Sequence, residues 1–223
     1  MKIIAHRGAK GLAPENTVAS IKKALEFKVD GIEFDLRVTK DNIVIVHQDQ
    51  SLIDPSGNKL TIDKTDFSEL RSHKPDLATF QEVLSAIGKV VPMYIEVKPG
   101  VPTGPIIKIL KKHLAKDLGQ KDLLLGSFSQ RVLLELRAAL PDISIYVIQR
   151  WSSVRAVWRA KRVNAKIIGM NQHFLWFGFI RYMKHRGYEL YAYTLNDPVK
   201  AKRWAKYGLS GVVTDFPDRF AKP

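Results

Sequence analysis

Three carboxylates and two histidines stand out from the 223-residue sequence because of the residues around them. Glu33 and Asp35 alternate with Ile32, Phe34 and Leu36, while Glu96 and Lys98 alternate with Ile95 and Val97. Side chains in a strand point to opposite faces in turn, so each charged pair shares one face, and in a closed barrel one face is the enclosed interior. Carboxylates taken out of water must be paired, protonated or gathered around a cation. The chain has no cysteine, so a cation here would meet only oxygen or imidazole ligands. Such a set suits one hard divalent ion, Mg²⁺ or Ca²⁺, better than zinc. The structural alternative is an internal salt-bridge network with Lys98 and Arg37 as partners.

His6 directly follows the apolar run Lys2–Ala5, and His47 ends the run from Ile43 to Val46. Two imidazoles at strand ends can hold and release protons near neutral pH, which suits general acid and base roles in breaking a P–O bond. Arg7 offers a planar fork of donors for a phosphate, with pairing to Glu15 or Glu33 as its structural alternative, and Lys98 can neutralise the same group. His73, His113, His173 and His185 fall in loops or helices and read as surface or packing residues.

These residues need a scaffold that brings strand ends together. Eight short apolar runs are legible: 2–5, 31–36 with a hairpin-like extension at 43–47, 92–97, 123–127, 143–148, 166–169, 189–194 and 211–214. Helical periodicity fills the intervals at 17–27, with Asn16 as a capping-type residue, and at 80–87, 106–115, 130–139, 153–162, 175–186 and 198–207. Strand–helix alternation marks a parallel sheet. An open doubly wound sheet would show the same alternation. Eight units in so short a chain favour closure, and no Gly-x-Gly-x-x-Gly follows the first strand. The expectation is an α/β protein, a single-domain (β/α)8 TIM barrel over residues 1–223 with a small insertion after the second strand. Active sites of such barrels lie at the strand C-termini, where the acids and histidines fall.

The ordered set His6-Arg7-Gly8, Pro14-Glu15-Asn16-Thr17, Gly31-Ile32-Glu33-Phe34-Asp35-Leu36, His47, Ile95-Glu96-Val97-Lys98-Pro99 and Val212-Val213-Thr214-Asp215-Phe216-Pro217 resembles the glycerophosphodiester phosphodiesterases along almost the whole chain. The resemblance implies a divalent ion held by Glu33, Asp35 and Glu96, with His6 as proton acceptor and His47 as donor to the leaving alcohol. Arg7, Lys98, Asn16 and Thr194 would bind substrate or phosphate. The products would be sn-glycerol 3-phosphate and an alcohol such as choline or ethanolamine, directly or through a cyclic phosphate. Three positions depart from the family pattern. Gln48 follows His47 where an aspartate is usual, Asp54-Pro55-Ser56-Gly57 replaces an Arg-Thr-Thr-Gly-like run, and Tyr193 stands where a tryptophan is common.

Charge adds a second theme. The net charge is +14, and its distribution is uneven: residues 1–111 hold 16 basic and 14 acidic residues, residues 112–223 hold 20 and 8. A basic C-terminal half could touch an anionic membrane, and Arg155, Arg159 and Arg162 beside Trp151 and Trp158 could grip lipid, although a solvated outer helix face is the plainer reading. The apolar stretch 175–180 is far too short to span a bilayer and reads as a barrel helix. The first residues leave no room for a secretory leader, so a cytoplasmic location is expected. Two rival functions remain in view: a lysophospholipase D or phospholipase C-like enzyme, and a non-catalytic basic binder of phosphate ligands. No reading helix, zinc module or stacking motif supports specific nucleic-acid binding.

Overall fold

The computed structural model describes residues 1–54, 56–116 and 118–220. Eight parallel strands close into a barrel: β1 (Lys2–Ala5), β2 (Gly31–Val38), β6 (Met93–Val97), β7 (Leu123–Ser127), β8 (Ser144–Gln149), β9 (Ile167–Asn171), β10 (Glu189–Tyr193) and β11 (Gly211–Thr214). Closure is made by β1, which pairs in parallel with both β2 and β11. The expected eight-stranded α/β barrel is the observed architecture.

The helices α1 (Val18–Leu25), α3 (Phe80–Ile87), α4 (Thr103–Leu114), α5 (Gln130–Ala139), α6 (Ser153–Arg162), α7 (Phe177–His185) and α8 (Pro198–Ala205) link the barrel strands. The insertion after β2 holds β3 (Val44–Val46), antiparallel to β2, the small hairpin β4 (Ser51–Ile53) and β5 (Lys59–Thr61), and α2 (Phe67–His73). The helix α2 was not expected from the sequence. Pro55, at one of the three departures from the family pattern, lies outside the described residues.

Several local expectations need correction. The cap of α1 is Thr17, whose hydroxyl accepts from the Ser20 N–H at 3.1 Å; Asn16 is occupied elsewhere. Helix α7 starts at Phe177, two residues later than its periodicity suggests, because Gln172–Phe174 forms a 3-10 turn first. Arg159 is not on a solvated helix face. It is buried, and its guanidinium donates to the carbonyls of Ile148 at 2.7 Å and Ser127 at 3.0 Å.

Strand alternation divides the apolar residues into two layers. Ile32, Phe34, Leu36, Ile95, Val97 and Leu125 face outward into the large core shared with the helices. Ile4, Tyr94, Leu124, Tyr146, Ile148 and Tyr191 pack together inside the barrel. The interior tyrosines fit because facing positions are glycine. A Cβ at Gly126 would come within 2.3 Å of the Tyr146 ring, at Gly211 within 2.4 Å of Tyr191 and at Gly31 within 2.6 Å of Tyr94. Glycine and tyrosine thus alternate between neighbouring strands, and the rings fill the floor beneath the mouth.

Candidate active site

A cavity of about 280 Å³ runs from the strand C-termini down to that tyrosine floor. On the β2 and β6 side it is walled by Glu33, Glu96 and Lys98. The register places Asp35 beside Glu96, one interior step above the pair Glu33 and Tyr94. Glu33, Asp35 and Glu96 are all buried, and each offers a carboxylate oxygen within 4.8 Å of the others.

The charges around the trio do not balance it. Lys98 Nζ bridges Asp35 Oδ1 and Glu96 Oε1, both at 2.7 Å. Arg7 Nε lies 3.2 Å from Asp35 Oδ2, but its Nη1 is committed to Glu15 at 2.8 Å. Asp35 also accepts from Asn16 Nδ2 at 2.9 Å and returns its own backbone N–H to Asn16 Oδ1 at 3.2 Å. Three carboxylates therefore meet two cations, one of them shared with Glu15.

The proton affinities follow from this shortage. Burial pushes Glu33 well above the usual carboxylate range, and repulsion from Asp35 and Glu96 adds to it. Burial and then Asp35 raise Glu96 to about 7. Burial works the same way on Asp35, yet Lys98 and Arg7 together hold it below its ordinary value. Two of the three groups thus favour a proton or an additional cation. The salt-bridge network considered above exists, but Arg37 is not part of it: that side chain donates to the Gln48 carbonyl at 2.9 and 3.1 Å.

His6 is held from across the closing seam of the barrel. Its Nδ1 lies 2.6 Å from Asp215 Oδ1, and Asp215 Oδ2 accepts from Asn196 Nδ2 at 3.0 Å. The Asn196 side-chain Oδ1 in turn accepts from the Asp215 N–H and the Thr214 hydroxyl, each at 2.9 Å. The remaining ring nitrogen, Nε2, lies 3.9 Å from Glu33 Oε2. Burial tends to raise Asp215, but its bonds to His6 and Asn196 prevail and hold it below its ordinary value. Asp215 was in view as a motif residue with no assigned role, its signal an acid directly following a barrel strand; Asn196 was not singled out.

The backbone of this corner is bent to suit. Arg7 and Asn16 adopt left-handed conformations, with φ of 50° and 58°, uncommon for residues other than glycine. Those bends let the Arg7 N–H reach Glu33 Oε2 at 3.0 Å and turn Asn16 onto Asp35. Gly8 follows at φ 79°, where a Cβ would lie 2.5 Å from the Ser20 backbone.

The other expected residues are placed less uniformly. Thr194 lines the cavity, and its carbonyl accepts from Gln172 Nε2 at 2.6 Å. Asn16 touches the site through Asp35 rather than by lining the cavity. His47 is not among the cavity-lining residues, whereas its neighbour Gln48 is. Burial lowers the basicity of His47, partly offset by the Ser51 backbone, and its Nε2 is buried without a hydrogen-bond partner. The Tyr146 hydroxyl, in the cavity wall, is also buried and unpartnered.

The opposite wall is apolar and aromatic. Phe128, Ile148, Ile167 and Tyr193 line it, with Phe128 edge-on to Tyr193 at 6.1 Å between ring centroids, and Arg150 and Asn171 are its polar members. The whole arrangement joins a cation-hungry carboxylate cluster, an oriented imidazole and three basic side chains, Arg7, Lys98 and Arg150, in one mouth. It is suited to an anionic ester with an apolar or neutral arm.

Residues 6–219 match the model of the glycerophosphoryl diester phosphodiesterase family. A glycerophosphodiester phosphodiesterase from Bacillus subtilis (strain 168) is 31% identical, with 98% of this chain and 85% of that protein covered. A human lysophospholipase D is 26% identical over 98% of this chain and 84% of its own length. The solved structure of an Oleispira antarctica phosphodiesterase, in complex with its product sn-glycerol-3-phosphate, superposes with a TM-score of 0.86 at 25% identity, covering 98% of this chain and 94% of that one.

Proposed function

Because the chain belongs to the glycerophosphoryl diester phosphodiesterase family and is a phosphoric diester hydrolase, we propose that it cleaves small glycerophosphodiesters to sn-glycerol 3-phosphate and an alcohol at the mouth described above. The observation that carries this reading is the buried trio Glu33, Asp35 and Glu96 beside the His6–Asp215 pair. The Oleispira antarctica enzyme, solved with the product sn-glycerol-3-phosphate, supports the same substrate class.

One divalent cation, Mg²⁺ or Ca²⁺, fits the trio, because all three ligands are carboxylates and the two neighbouring cations leave negative charge unmatched. When bound, it would supply Lewis-acid stabilisation of charge on the phosphodiester oxygens. The rest of the chemistry falls to the protein. Asp215 fixes the His6 ring through Nδ1, leaving Nε2 to accept a proton from the attacker, either water or the substrate's glycerol hydroxyl, whose cyclic phosphate water then opens, and its carboxylate stabilises the imidazolium that results. Arg7 and Lys98 hold the phosphate against the carboxylates, Asn16 keeps Asp35 turned inward, and Thr194 borders the substrate with Tyr193.

The proton for the leaving alcohol is assigned to His47. This requires its ring to give up the Ser51 backbone and turn towards the mouth when substrate enters, where its unpaired Nε2 would gain a partner. A second reading, cleavage of a lysophospholipid at the equivalent bond, is favoured by the apolar wall of Phe128, Ile148 and Ile167.

Release of glycerol 3-phosphate from glycerophosphocholine, glycerophosphoethanolamine and glycerophosphoglycerol, with Mg²⁺, Ca²⁺ or chelator, tests the assignment. Turnover that vanishes with chelator is expected. Absence of turnover on every soluble diester, with hydrolysis of lysophosphatidylcholine instead, would select the second reading.

A further inference from the structure

The loops that follow β7, β8, β9 and β10 carry large apolar side chains that the barrel does not bury. Trp151 is 59% exposed, Val154 81%, Trp176 60% and Phe177 58%. Their positions are not scattered. In a βα barrel every βα loop opens on the same face, and these four strands are consecutive neighbours in the sheet. Trp151 and Val154 stand at the start of α6, Trp176 and Phe177 at the start of α7, and the last two rings meet edge-on at 6.0 Å. Phe128, after β7, connects this rim to the cavity through its contact with Tyr193.

The same loops are cationic. Residues 128–131, 150–155, 171–177 and 194–200 contain Arg131, Arg150, Arg155 and Lys200 against a single acid, Asp197; Arg131 is paired with Glu135 of α5 at 3.2 Å, which leaves Arg150, Arg155 and Lys200 as the cations of the rim. The Asp197 carboxylate is itself engaged, accepting from the N–H groups of Val199 and Lys200 at the start of α8. Exposed tryptophan and phenylalanine interleaved with arginine match the chemistry of a lipid–water interface, where rings enter the headgroup region and cations meet anionic headgroups. A second copy of this chain is a poor occupant, because a symmetric contact would set this positive surface against itself.

We infer that this aromatic and basic rim docks on an anionic lipid bilayer, holding the cavity mouth against the membrane surface. The docking rests on the rim alone. Its consequence, access to diesters that carry an acyl chain, rests on the function proposed above. No helix among the described residues is long and apolar enough to cross a membrane, so the contact is peripheral.

Co-sedimentation of the full chain with phosphatidylcholine vesicles, with and without about one quarter phosphatidylglycerol, tests this directly. The wild type is expected to partition onto the mixed vesicles and only weakly onto the neutral ones. The triple variant Trp151→Ser, Trp176→Ser, Phe177→Ser is expected to lose about ten-fold in partition, because these rings supply the buried apolar area. Bromine-labelled acyl chains should quench the tryptophan fluorescence of the wild type. Glycerophosphocholine turnover is followed in parallel and should stay within about two-fold in the variant, since none of the three residues lines the cavity. Partition that is absent, or is unchanged by the triple substitution, overturns the docking surface. So does concentration-dependent dimerisation that the substitutions abolish in the absence of vesicle binding. Failure of the wild type to turn over glycerophosphocholine would count against the proposed function and leave the sedimentation result to decide the docking surface.

Discussion

On the side of the mouth formed by β1, β2, β6 and β11, charged atoms are committed to one another: Lys98 to Asp35 and Glu96, Arg7 to Glu15 and Asp35, His6 to Asp215, and Asp215 to Asn196. On the side formed by β7 to β10, the large rings stand in solvent and Arg150 and Arg155 lie exposed. Both sides grow from the same strand–loop–helix units. The difference lies in what each lacks. The polar side has excess buried negative charge that only a cation or protons can relieve, whereas the aromatic side has apolar area that only an external surface can cover. One is organised for chemistry on a small anion and the other for contact with something large.

Removing one carboxylate tests the polar side most severely. Glu96→Gln should lower turnover of glycerophosphocholine by about a thousand-fold or more at saturating Mg²⁺, because stabilisation by the ion amounts to several kcal/mol. A loss below ten-fold would mean that the trio is a structural network. Asp215→Asn is next, with an expected loss of about a hundred-fold in kcat. Its readout beyond rate is rescue: Asp215→Glu, which keeps a carboxylate near His6 Nδ1, should recover part of the lost kcat while KM stays unchanged in both variants. A glutamate variant no faster than the asparagine one would deny the carboxylate a part in positioning His6.

A thermal scan against pH sharpens the comparison without any substitution. Burial and Asp35 raise Glu96 to about 7, above its ordinary value of 4.5. A carboxyl raised in the folded state contributes stability fully present below its unfolded value and lost as pH rises through its folded value. Chelated protein should therefore lose stability on the order of a few kcal/mol between about pH 4.5 and 7, read as a falling melting temperature. Mg²⁺ or Ca²⁺ should restore it increasingly over the same interval, since the ion binds the ionised carboxylates. A melting temperature indifferent to both ions across that range would sink the cation site.

Beneath both sides, Gly126→Ala should destabilise by about 1–3 kcal/mol, because its Cβ would press on the Tyr146 ring. Urea denaturation measures it, and a neutral result would show the floor to be looser than the glycine–tyrosine fit implies. The smallest effect is expected from Trp176→Ser on soluble substrate, within about two-fold in kcat/KM.

Much of the site was readable before the fold was known. Period-2 alternation placed Glu33, Asp35 and Glu96 on an interior face, and a strand-end position put His6 at the mouth; the same argument expected His47 there, and it does not line the cavity. Less legible were the features that depend on a second element. Arg159 read as one of three arginines on a solvated face, yet carbonyls at the ends of β7 and β8 draw it inside. Helix α2 has only 7 residues, too few for periodicity to declare it. His47 and Gln48 are adjacent in the chain, and only the course of the insertion decides that Gln48 lines the cavity while His47 does not.

By itself the sequence determined the alternation of strand and helix, the acids set among apolar strand residues, and the surplus of positive charge in residues 112–223. Those are local patterns, written in composition and spacing. Tertiary structure alone decided which charge takes which partner. His6 meets Asp215 only because barrel closure brings β11 beside β1, and Lys98 bridges Asp35 and Glu96 only because β6 lies in register against β2. Pairing energies depend on distance in space and on exclusion of water, and neither can be read from positions along a chain.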